Sequence, residues 1–126
     1  MAVRYAILKK TRTQIKLKVI GSGSISIPLS DFALADEVLK SPKCDITFTH
    51  WSLDQSTGVG IISRGGTPIQ YLYGTDEWSL SQESSIIENE FNDQDLNVEL
   101  QGPNGLIYIS LSKHGFQEPE TQGTGR

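Results

Sequence analysis

Gln14-Ile15-Lys16-Leu17-Lys18-Val19 decides the fold. Successive side chains leave opposite faces of a strand, so Ile15, Leu17 and Val19 form one dry face and Lys16 and Lys18 a charged one. Upstream, Tyr5-Ala6-Ile7-Leu8 reads as a first strand, and Thr11-Arg12-Thr13 interrupts it before the alternating run begins. Downstream, Gly21-Ser22-Gly23 breaks or bulges the run and Ser24-Ile25-Ser26-Ile27 resumes it. Pro28 marks an edge or an end, because proline has no N–H to give a ladder.

The rest of the chain repeats this grammar once a single helical signal is set aside. Ser30 can cap a helix with Phe32, Ala35 and Leu39 on one face, Leu34 and Val38 beside it, and Ser41-Pro42 as its stop. Such a helix, about three turns long, is expected to plug one end of a sandwich. Asp45-Ile46-Thr47-Phe48-Thr49-His50-Trp51 reads as a strand with Ile46, Phe48 and His50 on one side and Thr47, Thr49 and Trp51 on the other. Val59–Ser63 and Pro68–Tyr73 flank Arg64-Gly65-Gly66-Thr67, a hairpin signal because glycine supplies positive φ. From Gly74 to Asp95 the chain is polar and acidic and reads as a long surface loop, with Ile86 and Ile87 as a candidate short strand. Leu96–Leu100 and Leu106–Leu111 alternate clearly, and Gly102-Pro103-Asn104-Gly105 between them predicts a second hairpin.

About eight short strands with turn signals and one short helix predict an all-β antiparallel β-sandwich, of immunoglobulin-like or jelly-roll type. A chain of 126 residues fits one domain, expected over residues 1–116, with residues 117–126 as a flexible tail that has nothing to bury. Cys44 is the lone cysteine, so an internal disulfide and a multi-thiolate zinc site are excluded, and a reducing compartment during folding is expected. The N-terminus has no uninterrupted apolar run, so neither a cleaved export signal nor a membrane span is expected.

Charge is split along the chain. Arg4, Lys9, Lys10, Arg12, Lys16 and Lys18 are the only charged residues through Lys18, whereas those between Gly65 and Ser112 are all acidic. The net charge of −4 argues against general nucleic-acid affinity, and the basic ridge lacks interleaved stacking aromatics beyond Tyr5, so subunit contact is its expected use.

Catalysis fails at the inventory. His50 and His114 are the only histidines and neither sits in a nucleophile motif, so no enzyme is expected. The acidic run from Glu88 to Asp95 lacks the glycine and the spacing of a calcium loop, and no cofactor or metal is expected. Trp51, Tyr71, Tyr73 and Trp78 are the kind of aromatics that line a sugar-binding face, although core and interface packing use the same residue types.

The opening segment Ala6–Val19, followed by Ser24-Ile25-Ser26-Ile27 and Ile46-Thr47-Phe48-Thr49-His50-Trp51, resembles small virion structural proteins of tailed bacteriophages, especially marine ones. The resemblance extends loosely to Leu111 and transfers no functional residues. It implies a β-rich, non-enzymatic structural protein assembled in the host cytoplasm and resident in the virion. Capsid decoration or cementing is the favoured role, with the major capsid protein, other virion proteins or its own copies as partners. The alternatives are a head–tail or tail adaptor, or a carbohydrate-binding host-recognition module on a tail appendage. On this reading the contact residues are basic Lys9, Lys10, Arg12, Lys16 and Lys18 together with Trp78, Glu88, Glu90 and Asp93.

Overall fold

The computed structural model describes residues 2–79 and 92–117. Seven strands run in the order β1 (Arg4–Lys10), β2 (Gln14–Ile27), β3 (Val38–Ser52), β4 (Val59–Arg64), β5 (Thr67–Leu72), β6 (Thr75–Ser79) and β7 (Leu96–Gln117). Every ladder between them is antiparallel, as expected of an all-β sandwich.

Two long strands build both layers. The first half of β2 pairs with the second half of β7, from Gln14↔Ser112 to Gly21↔Gly105, and the second half of β2 pairs with the first half of β7, from Gly23↔Leu100 to Ile27↔Leu96. One layer is therefore β1-β2-β7-β3-β6. The other joins the far halves of β2 and β7 to β4 and β5. The bend falls where glycine permits it. Gly21 has φ 114°, and a Cβ there would lie 2.5 Å from the Ala2 carbonyl oxygen. On β7 four residues, 101–104, stand opposite Ser22, whose hydroxyl donates to the Gly102 carbonyl at 2.6 Å. The expected second hairpin is thus corrected: Gly102-Pro103-Asn104-Gly105 forms a corner inside β7, because β2 bends beside it and both halves of β7 keep β2 as their neighbour.

Between the layers Ile15, Leu17, Val19, Ile107, Ile109 and Leu111 meet Ile62, Leu72, Leu96, Val98 and Leu100, all buried. Burial of each such side chain is worth roughly 1.5–3 kcal/mol. A Cβ on Gly60 would approach Ile107 Cδ1 to 3.2 Å, so the layers are in van der Waals contact there. Thr49 donates to Gln70 at 3.1 Å across the interior, which satisfies two buried polar side chains with each other.

The Gly65-Gly66 hairpin forms as expected, with φ of 55° and 85° at its two glycines, as a two-residue primed turn requires. The expected helix does not form. Its first turn is a 3₁₀ turn over Leu29–Phe32, with Ser30 inside it rather than capping it, and Val38 and Leu39 already belong to β3. Leu29 and Phe32, three residues apart, reach the core from one side of this turn, which satisfies the same apolar residues that suggested a helix. Tyr5 donates its hydroxyl to Asp31 and so ties the turn to β1; that bond, then burial, pushes the Tyr5 pKa up to about 12. The expected loop from Gly74 is also shorter, since Thr75–Ser79 pairs with β3 as β6. Ile86 and Ile87, and the tail beyond residue 117, lie outside the described residues.

The faces of β3 also differ from the expected ones. Its register shifts between Ile46 and Phe48, so Thr47 is a bulge. A bulge exchanges the faces of all that follows. Cys44 and Ile46 point inward before it and Thr49 and Trp51 after it, leaving Phe48 and His50 on the outside.

Candidate functional site

The outer face of the five-stranded layer carries Lys9, Lys16 and Lys18, whereas Lys10 and Arg12 reach the segment that follows β2. Lys9 stands directly opposite Lys16, and Lys18 opposite Ala6. Among the described residues Lys9, Lys16 and Lys18 have no ion-pair partner. Like charges directly across a ladder are destabilising, so the fold itself does not call for the Lys9–Lys16 pair.

Lys10 and Arg12 serve the fold. Lys10 Nζ donates to the Asp31 carbonyl at 3.3 Å, and Arg12 Nη2 lies 2.7 Å from Asp36 Oδ2. Arg12 Nη1 also sits 3.6 Å from Glu37 Oε2. Glu37 is half-buried as a residue with its side chain covered, and it accepts from Lys113 Nζ at 2.7 Å and from the Leu34 N–H at 2.8 Å. Burial pushes the Glu37 carboxyl up, but Lys113, the Leu34 N–H and Arg12 together outweigh it and hold the carboxyl below the ordinary range. Lys113 is completed by the Thr11 carbonyl at 2.8 Å and by the Phe116 ring at 4.7 Å.

Cross-strand rows organise the remaining surface. One row runs Ala6, Lys18, Tyr108, His50, Glu77. The next runs Lys9, Lys16, Ser110, Phe48, Ser79. Ser110 is the small member of its row, and the space above it opens as a groove of about 460 Å³ walled by Leu8, Lys16, Phe48 and Tyr108. Two bulges make this wall. The register of β1 shifts between Ile7 and Lys9, which leaves Leu8 55% exposed, and the Thr47 bulge turns Phe48 outward. Leu8, Phe48, Tyr108 and Ser110 carry no charge and were not recognised as site residues from the sequence. The available signal was a clash of phase, since Cys44-Ile46-Phe48 and Trp51-Leu53 cannot share one face of an unbroken strand.

The basic-to-acidic split reappears across this face. Glu77 on β6 lies 3.6 Å from His50 Nδ1, while the lysines stand on β1 and β2. Trp78 packs against the core, and Asp93 is exposed and accepts from Gln94 Nε2 at 3.3 Å. Glu88 and Glu90 lie outside the described residues. The described end of the acidic run is held by a cation of the chain's own. Fully buried Arg64 donates to the carbonyls of Asn92 at 2.7 Å, Gln94 at 3.0 Å and Cys44 at 2.9 Å. Among the described residues no three His, Cys, Asp or Glu side chains converge as metal ligands.

Neither histidine stands in a relay. His114 Nε2 is 3.1 Å from Asp45 Oδ2 and 3.4 Å from Ser112 Oγ, so one nitrogen meets both groups, whereas a triad needs them on opposite nitrogens. The four aromatics do not share a platform. Trp51 is buried and donates its indole N–H to the Tyr73 carbonyl at 3.0 Å, Trp78 faces the core, and Tyr71 and Tyr73 are exposed. In comparisons with known proteins, the chain matches no family, no curated protein and no solved structure.

Proposed function

We propose that the protein is a non-enzymatic structural protein of the bacteriophage virion, a capsid decoration or cement protein that binds the major capsid protein or its own copies through the outer face of the five-stranded layer. The observation that carries the contact surface is the apolar groove beside three lysines that have no ion-pair partner among the described residues. Apolar and aromatic side chains at the centre with charge at the margin are the composition of a protein interface, in which charge adds orientation and encounter rate more than affinity. The resemblance of the first half of the chain supplies the virion context.

Cryo-electron microscopy of the particle that carries this protein tests the reading. Regular density across the shell, with this face against the major capsid protein, is the expected result. Density confined to neck or tail would replace decoration by an adaptor role, and purified protein that stays monomeric and ignores particles at low and moderate salt would end the virion reading.

A further inference from the structure

We infer that the groove between Leu8 and Phe48 receives an extended acidic segment of a partner protein, with one apolar side chain seated over Ser110; the inference rests on the reading of this face as a contact surface. Its volume of about 460 Å³ falls within the range of sites that accept a few side chains. Its walls are Leu8, Phe48 and Tyr108, and interfaces concentrate their affinity where a partner seals aromatic and apolar walls of this kind from water.

Charge defines the occupant. Lys16 and Lys18 project from the same face two residues apart along β2, roughly 6.6–6.8 Å at strand rise. Two carboxylates at alternate positions of an extended peptide have the same spacing, so each meets one ammonium while an apolar residue at the next alternate position, on the same face, enters the groove. Lys9, across from Lys16, adds a third cation at the rim. Glu77 on the same face and the net charge of −4 weigh against a nucleic-acid backbone, which would meet both signs. A short acidic segment fits beside the lysines alone.

The chain's own sequence offers a probe of this chemistry. Residues 83–91, Glu83-Ser84-Ser85-Ile86-Ile87-Glu88-Asn89-Glu90-Phe91, hold Ile86, Glu88 and Glu90 at alternate positions, so an extended peptide carries one apolar side chain and two carboxylates on one face. A labelled peptide of this sequence is titrated into the full-length protein by fluorescence anisotropy, and the surface is mapped by amide chemical shifts. Saturable binding is expected, with shifts centred on Leu8, Lys16, Phe48, Tyr108 and Ser110. K16E/K18E should weaken it roughly tenfold, as should glutamine in place of Glu88 and Glu90 in the peptide. Ser110→Leu, which fills the groove without altering charge, should abolish it. If S110L unfolds, Leu8→Asp at the exposed wall serves the same purpose.

No saturable binding up to about 1 mM, or shifts centred on another face, overturns the inference. So does a single-stranded oligonucleotide that binds the same residues more tightly than the peptide. Wild-type protein that binds particles unchanged by S110L or L8D would overturn the groove and leave the virion reading intact. Peptide binding in a protein that ignores particles would support the groove and remove the virion reading.

Discussion

The buried cations of this protein and those on the outer face of its five-stranded layer have opposite surroundings. Arg64 and Lys113 are buried and each is surrounded by acceptors: three carbonyls for Arg64, and Glu37 with the Thr11 carbonyl for Lys113. Lys9, Lys16 and Lys18 stand outside, without an ion-pair partner among the described residues. The same residue class therefore separates into groups that hold the chain together and groups that face outward, beside which the proposed contact surface lies. A buried charge must be compensated within its own fold, whereas an exposed one costs the fold little and is free to select a partner.

The contrast can be broken from either side. Lys113→Met should have the largest effect, because it takes the ammonium from the covered Glu37 carboxylate and leaves it only the Leu34 N–H and the more distant Arg12; a loss of about 3–5 kcal/mol is expected in urea unfolding. Arg64→Met should come next, at about 3 kcal/mol, because three backbone carbonyls lose their donor while the methionine fills part of the space. A proteolysis assay should then show faster cleavage near residues 92–94, which Arg64 holds. Unaltered stability in either variant would erase the distinction.

Acid offers a finer test. The folded-state pKa of Glu37 is depressed, so its contribution is present above the ordinary glutamate pKa of about 4.3 and is lost as pH falls through the folded value. The wild-type urea midpoint should decline as pH drops below about 4.3, and Glu37→Gln should flatten that part of the profile. A mutant curve parallel to the wild type would assign the acid sensitivity elsewhere. The smallest effect on the fold belongs to K9E/K16E, expected to alter stability by less than about 0.5 kcal/mol while weakening association with particles roughly tenfold. Thermal melts beside a co-sedimentation assay read both halves of that statement.

What the sequence made legible, and what it hid, follow the same division. Alternation at Ile15-Leu17-Val19 and the glycines after Arg64 are local signals, and both gave the element that forms. The helix failed because residues 34–39 found better partners far along the chain, with Glu37 meeting Lys113 and Leu39 pairing with Phe116. The lysines were legible as a basic ridge, yet their separation into structural and outward-facing groups depends on Asp36 and Glu37, which come from a distant turn. The groove was hidden altogether. It requires a bulge at Leu8, another at Thr47 and a serine aligned between them on a third strand, and alternation alone cannot announce a register that two other strands impose.

The place of β7 also governs when this protein can assume its shape. β1–β2 and β4–β5 join neighbours in sequence and can form as soon as each pair is synthesised. Among the described residues β4 and β5 join the rest of the sheet only through β7, which begins at Leu96 and ladders with β2, β3 and β4 at once. A nascent chain on the ribosome must therefore wait, its hairpins formed but unassembled, until that strand emerges. Folding of the domain consequently awaits β7, is dominated by long-range pairing and is slow for the size of the domain.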